Sequence, residues 1–243
     1  MQSHVPITAV LVTGKCDARF ALAQHATNRW KQQFHSSRHE LLVINDHPTI
    51  SLFGPTFPAP ANAREVRITD RLSLGELRNI GIEKAETEYM LQWDDDDHSN
   101  NGRVLWQQEH TDHGSASILR YEIHCDIETG EAFVNDGKSI RGGGFPGTMM
   151  WPRDAKTRFP AIGKREDMEF VLALRDECGL TALQNDPILY CRLFHGDNTW
   201  NRQHVMQRKP GARDLVGNEQ RYVQQMLMQV RAVRKVADRA ATP

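Results

Sequence analysis

An apolar stretch, Tyr89-Met-Leu-Gln-Trp93, runs directly into four consecutive aspartates, Asp94 to Asp97. A short apolar run of this kind fits a strand buried on both faces of a parallel sheet. A strand that ends in carboxylates delivers them to the crevice beyond its C-terminal end, where open α/β sheets bind ligands. Carboxylates this close repel one another unless a proton or a cation intervenes. A hard divalent ion with oxygen ligands is the natural partner, and such ions commonly come with substrate phosphates. Acidic runs are also common as plain solvated surface, so the remaining pattern has to decide.

That pattern alternates. Ile7 to Thr13 reads as a buried parallel strand ended by Gly14, and Arg19 to Phe34 as a helix with Phe20, Leu22, Ala23, Ala26 and Trp30 on one face. Glu40 to Asn45 is a second apolar strand, followed by Asp46-His-Pro48 and a loop carrying Pro55, Pro58 and Pro60. Ser73-Leu-Gly-Glu76 has the spacing of a capping box for a helix to about Ala85. With Tyr89–Trp93, the first hundred residues read β-α-β-α-β, which predicts a parallel sheet covered by helices.

The second half reads differently. Ser117 to His124 and the stretch around Glu131 to Val134 flank the turn-like Glu128-Thr-Gly130 and are expected to pair as antiparallel strands. A glycine-rich loop (Arg141 to Gly144), an apolar segment (Thr148 to Trp151), a helix from about Asp167 to Cys178 and a strand from Pro187 to Phe194 follow. The glycine-rich loop lacks the Gly-Lys-Ser/Thr ending of a P-loop and is expected to be a mobile loop near an acceptor. His110 and His113 have metal-like spacing but no glutamate between them, and read as surface residues.

The 243 residues suffice for one large domain with an appendage, here divided as 1–210 and a helical extension 211–243. With a net charge of −1 nothing global suggests a nucleic-acid coat or a polybasic membrane protein, and no apolar run is long enough to span a bilayer. No secretory leader pattern is evident. Cys16, Cys125, Cys178 and Cys191 show no CxxC pair and fit reduced, buried thiols of a cytoplasmic protein. In the extension, Val223, Met226, Leu227, Val230, Val233 and Val236 follow helical spacing, with Arg221, Arg231, Arg234, Lys235 and Arg239 filling much of the rest. Packing on its own domain or on a second subunit, as a homodimer, is the expected use. The alternative is a peripheral contact with an anionic membrane.

Several motifs then occur in order: Arg78-Asn-Ile-Gly81, Gln92-Trp-Asp-Asp-Asp-Asp97, Phe145-Pro-Gly-Thr148, Glu166-Asp-Met-Glu-Phe170 and His195-Gly-Asp-Asn-Thr-Trp200. Together they resemble the family 2 glycosyltransferases (GT2), and most closely a bacterial and phage-type subgroup, over residues 5 to 205. The resemblance implies the GT-A fold, a three-layer α/β arrangement with a mostly parallel central sheet, here followed by a C-terminal helix. It implies a metal-dependent, inverting hexosyltransferase that moves a sugar from a nucleotide-diphospho-sugar, expected to be a UDP-sugar, to an acceptor hydroxyl. Asp96, with Asp94 and His195, would hold manganese or magnesium in the manner of a DXD motif. Neutral imidazole suits manganese better. Alternation along an extended segment leaves two pairs open, Asp94 with Asp96 or Asp95 with Asp97, and the family pattern favours the first.

By the same resemblance, Thr13, Asp46, Arg78, Asp94 and Asp95 would contact the nucleotide. Asp167 would be the general base, with Glu166 positioning it or touching the acceptor. Acidic residues opening a helix are also favoured by the helix dipole alone. Two departures stand out. His98-Ser-Asn-Asn101 follows the aspartates where many members carry an aromatic residue, and Thr13-Gly-Lys-Cys-Asp17 replaces the usual Thr-x-Asn-Arg. The other expectations compatible with clustered carboxylates are a nucleotidyl- or phosphoryl-transfer enzyme and a non-catalytic nucleotide-sugar-binding protein. Sugar, acceptor (glycan, lipid-linked sugar, protein or nucleic acid) and oligomeric state are not legible in the sequence.

Overall fold

A computed structural model describes residues 5–14, 17–34, 38–162 and 164–240. Lys15 and Cys16, and with them the middle of the divergent loop after the first strand, lie outside the described residues, as do the side chains of Lys235, Val236 and Arg239.

The first half follows in the order β1 (Ile7–Thr13), α1 (Asp17–Lys31), β2 (Glu40–Asn45), β3 (Ala63–Arg67), α2 (Leu74–Lys84), β4 (Tyr89–Gln92), β5 (His98–Ser99) and α3 (Arg103–His110). The second half continues with β6 (Ala116–Leu119), β7 (Tyr121–Asp126), β8 (Ala132–Asp136), β9 (Phe145–Pro152), α4 (Glu166–Cys178), β10 (Leu180–Leu183), β11 (Tyr190–Phe194), α5 (Arg202–Val205), β12 (Arg213–Asp214) and α6 (Asn218–Ala240).

A seven-stranded sheet has the order β10-β6-β9-β4-β1-β2-β3. Its strands are parallel except β9, which lies antiparallel between β4 and β6. Period-two alternation divides its side chains between two cores. Ile7, Ala9, Leu11, Leu41, Val43 and Leu91 pack against Ala23, Ala26 and Trp30 of α1. Val10, Leu42, Ile44 and Met90 pack on the other face, with Leu77 and Ile82 of α2 and Phe170 and Leu174 of α4. The result is the three-layer α/β arrangement that the alternating pattern predicts.

Local chemistry explains how α2 is held. The Ser73 and Glu76 capping box forms in both directions. Gly81, in mid-helix, is where α2 crosses β1: a Cβ there would stand 2.5 Å from Val10 Cγ1. The glycine therefore sets the depth at which Arg78 sits over the strand ends.

The stretch Ser117–His124, expected as one strand, is two. β6 belongs to the large sheet and β7 to a second, five-stranded sheet of order β12-β8-β7-β11-β5. The chain changes sheet at Arg120, where Asn185 clamps Tyr121 by accepting its N–H at 2.9 Å and donating to its carbonyl at 2.8 Å. The expected antiparallel pairing across Glu128–Gly130 is present as β7 with β8. The strand expected from Pro187 begins only at Tyr190, after a 3₁₀ turn at Pro187–Leu189. The glycine-rich loop folds back on β6: a Cβ at Gly144 would meet the Leu119 carbonyl at 2.6 Å. It does not reach the cavity described below. His110 and His113 are exposed, as expected.

Val223, Met226, Leu227 and Val230 of α6 are buried against Leu22 of α1 and Ile123, Cys125, Cys191 and Leu193 of the second sheet. Arg231 donates to the Ile127 and Glu128 carbonyls, and Arg234 pairs with Glu128. The apolar stripe thus faces its own domain. No helix among the described residues is long and apolar enough to cross a membrane.

Between α1 and β5, His25 Nε2 and His98 Nδ1 lie 2.9 Å apart, both buried. Burial, reinforced by Arg29, lowers His25 to about 4. Burial, with His25 and Arg29 beside it, also pushes His98 well below the usual imidazole range. The unfolded chain therefore takes up these protons first. The stabilising contribution is full above the ordinary value of 6.5 and is lost as pH falls from 6.5 towards 4. A loss of about 3 kcal/mol from His25 alone is expected across that window. It is read as the part of the urea midpoint's pH dependence between pH 7 and pH 4.5 that His25→Gln removes, because Asp95, raised to about 6, titrates in the opposite sense; an unchanged pH dependence in the variant would contradict it.

Candidate active site

β4 ends at Gln92, and Asp94 to Asp97 form a turn at the C-terminal edge of the large sheet, not a continued strand. The alternation argument for pairing the aspartates therefore does not apply, and the turn sends each carboxylate to its own partner. Asp94 accepts from Gln92 Nε2 at 2.9 Å and from Arg78 Nη2 at 3.2 Å. Asp95 is held by the Arg19 guanidinium through two contacts. Asp96 Oδ2 lies 3.1 Å from His195 Nε2 and 3.1 Å from Arg19 Nη2. Asp97 accepts the Tyr190 hydroxyl at 2.6 Å and the Leu193 N–H at 2.9 Å. Asp95 and Asp97 are thereby tied into the frame, leaving Asp94 and Asp96 as the more accessible pair.

Arg78, projecting from α2, spans two carboxylates: Nη1 is 2.5 Å from Glu166 Oε1 while Nη2 holds Asp94. This fixes the start of α4 against the aspartate turn. α4 begins at Glu166, one residue before the expected start, and the chain enters it through Arg165 with φ 66°. A non-glycine residue in the left-handed region is uncommon and marks a constrained entry. Asp167 lines the same cavity as the aspartates, and its Oδ1 accepts the Met168 N–H at 2.7 Å. His195 follows β11, where Asn198 accepts its N–H at 2.9 Å.

The electrostatics follow from burial and neighbours. Burial raises Asp94, against the pull of Arg78. Burial brings Asp95 up to about 6 despite the Arg19 guanidinium. Burial and the charges of Asp96 and Asp94 lift Asp97 well above the usual carboxylate range. Asp96 alone moves down: burial opposes the shift, but Arg19, the His195 hydrogen bond and Arg192 outweigh it. Burial raises Glu166. Asp96 is thus the member of the turn most firmly held as an anion.

No group of three or more His, Cys, Asp and Glu side chains among the described residues converges as a metal set. Asp96 and His195 meet, whereas Asp94, the third expected ligand, is turned to Gln92 and Arg78. One carboxylate and one imidazole are donors that a manganese or magnesium ion would accept.

Arg78, Asp94, Asp95, Asp96, Glu166 and Asp167 are therefore brought together around one cavity of about 110 Å³, and His195 reaches it through Asp96. Thr13 and Asp46 are not on its wall. They stand at the adjoining strand ends, where the Asp46 N–H bonds the Thr13 carbonyl at 3.0 Å. The sequence reading missed Arg19, Arg192, Lys164 and Arg165, which share the wall. Arg19 carried a signal, since a cation in the first turn of a helix opposes the helix dipole. Arg192 carried another, as a charge inside the apolar strand Tyr-Cys-Arg-Leu-Phe.

No family model matches the chain, and no curated protein matches its sequence. Solved structures do match. A crystal structure of S. aureus TarS residues 1–349 superposes with a TM-score of 0.56 at 16% identity, covering 77% of this chain and 60% of that one. A second, of S. aureus TarS, gives 0.56 at 15% identity, covering 78% and 37%. A third, of residues 1–349 in complex with UDP-GlcNAc, gives 0.61 at 14% identity, covering 93% and 66%. The chain thus spans between about a third and two thirds of the TarS chains it resembles. At this identity the likeness speaks for the fold, and the architecture expected from the motifs is the one observed: the chain has the GT-A fold.

Proposed function

We propose that the protein is a metal-dependent, inverting glycosyltransferase of the family 2 type that uses a nucleotide-diphospho-sugar, UDP-linked by preference. One observation carries this reading: Asp167 faces the same cavity as the Asp96–His195 pair, at the C-terminal edge of a parallel sheet. The TarS structure with UDP-GlcNAc supports the nucleotide-sugar class.

In this reading Asp96 and His195 hold the divalent ion, with Asp94 close by. The bound ion supplies charge stabilisation to the departing diphosphate. Arg78 keeps Glu166 and Asp94 in register. The acceptor oxygen attacks the anomeric carbon as the bond to the diphosphate oxygen breaks. The acceptor proton passes to Asp167, and no covalent intermediate forms. Thr13 and Asp46 line the path of the nucleoside. At about 110 Å³ the cavity is below the ~300–1,000 Å³ usual for small-molecule sites. The donor therefore extends beyond this cavity, and Lys164 Nζ, 4.5 Å from the centroid of the Trp200 ring, stands on its wall.

Free-nucleotide release from UDP-, GDP-, CMP- and dTDP-sugars, with manganese and with EDTA, tests the reading. Slow metal-dependent release from one donor, absent in Asp96→Ala, is the expected result. Release of pyrophosphate would point to nucleotidyl transfer. No release from any donor, with UDP and manganese still bound in calorimetry, would mean that turnover needs the acceptor or that the site only binds, and transfer to a panel of acceptors separates the two.

A further inference from the structure

The aspartate turn already contains a cation. Arg19, in the first turn of α1, donates Nε to Asp95 Oδ2 at 3.3 Å, with Nη2 on Asp95 Oδ1 and 3.1 Å from Asp96 Oδ2. Its side chain is 11% exposed. Asp96 Oδ2 also meets His195 Nε2 at 3.1 Å and Asn198 Nδ2 at 3.5 Å. Three donors surround the one oxygen best placed, together with His195, to bind an ion.

The charge of the cavity fits this picture. Among the described residues, six carboxylates and five cationic side chains line it. A bare divalent ion would overcompensate such a wall and would have to displace a buried guanidinium from two carboxylates. A diphosphate alone would add anions beside the aspartates. The two arriving together change the charge least. A diphosphate also gives Arg19 somewhere to go, because guanidinium pairs with phosphate oxygens in the same forked geometry as with carboxylate.

We infer that Arg19 is the resident counter-ion of the aspartate turn and keeps Asp96 closed to a bare divalent ion, so that the ion loads only with a diphosphate, to which Arg19 then turns. The diphosphate half of this inference rests on the nucleotide-sugar reading above. The position of Arg19 is consistent with such a role: a cation in a helix's first turn works against the dipole, so helix stability does not explain it.

The test is manganese binding to the full chain, by electron paramagnetic resonance of the free ion, without nucleotide and with saturating UDP. In the parent, UDP is expected to tighten manganese binding at least tenfold, and manganese to tighten UDP binding by the same factor. Arg19→Gln is expected to bind manganese without nucleotide at least tenfold more tightly than the parent, and to lose most of that coupling. Arg19→Lys, which keeps the charge, stays close to the parent. Adding Asp96→Asn to Arg19→Gln removes the gained site, which a merely structural role for Arg19 would not produce.

Bare-ion affinity in Arg19→Gln no tighter than in the parent overturns the inference. Should Arg19→Gln not fold, Arg19→Met takes its place with the same expected and overturning results. If the variant gains the ion but neither protein binds UDP, the nucleotide-sugar reading falls and the exclusion of the bare ion by Arg19 stands.

Discussion

An Asp167→Asn variant is expected to transfer sugar about 10²–10⁴-fold more slowly than the parent while binding UDP with unchanged affinity. Asparagine keeps the size of the side chain but cannot accept the acceptor proton. The ion pairs of Arg78 with Glu166 and Asp94 do not involve Asp167, so the walls of the cavity should hold. Glu166→Gln makes a useful contrast. It weakens the 2.5 Å contact with Arg78 and so loosens the seat of α4, and its loss should appear in donor affinity as well as in rate. Single-turnover transfer beside calorimetric titration of UDP separates the two. Transfer by Asp167→Asn at the parental rate would assign the base elsewhere.

The second large effect is on stability. Phe170→Ala should cost about 3–5 kcal/mol, the range for emptying a buried aromatic site. In a chain of this size that lowers Tm by roughly 10 °C. Phe170 is fully buried, stacked on Phe159 with centroids 3.8 Å apart and edge-on to Trp151 at 5.2 Å. Phe159 in turn lies beneath Arg78, whose guanidinium carbon is 5.3 Å from the ring centroid. The aromatic stack thus supports both α4 and the arginine that aligns it. Calorimetric or circular-dichroism melting checks the prediction, and a loss below about 1 kcal/mol, the scale of volume-conserving swaps, would mean that the site collapses without a cavity.

How far the sequence could be read depended on where the polar groups lie. β1, β2 and β4 announce themselves because strands covered on both faces are apolar throughout. α2 does so because its capping box is local. β3 escaped notice: Ala-Arg-Glu-Val-Arg is a half-buried edge strand that reads as a charged loop. α3 escaped for the opposite reason, since its buried face includes Arg103 and Gln107. Arg103 reaches Ser99 Oγ at 2.9 Å and the Gln92 carbonyl at 3.2 Å, and Gln107 reaches the Thr148 carbonyl at 2.9 Å. Burial of that kind, satisfied by distant backbone, leaves no periodic apolar signal. Ser117–His124 looked continuous because side-chain patterning is blind to a change of sheet that Asn185, some sixty positions away, brings about.

The site divides the same way. Its carboxylates are contiguous or paired in sequence and could be named. The cations that neutralise them come from α1, α2, the loop before α4 and β11, and only Arg78 sat in a motif. A long-range charge pair is visible only once the chain has folded.

The seam between α6 and α1 has a consequence for biosynthesis. Leu22 leaves the ribosome about two hundred residues before Val223, Met226 and Val230, which cover it. At ~5–20 residues per second, roughly 10–40 s of translation separate the two. Throughout that interval the nascent chain carries an uncovered apolar flank on α1, joined later by that of the second sheet. A chaperone acting on this protein during synthesis would have a long-lived target there.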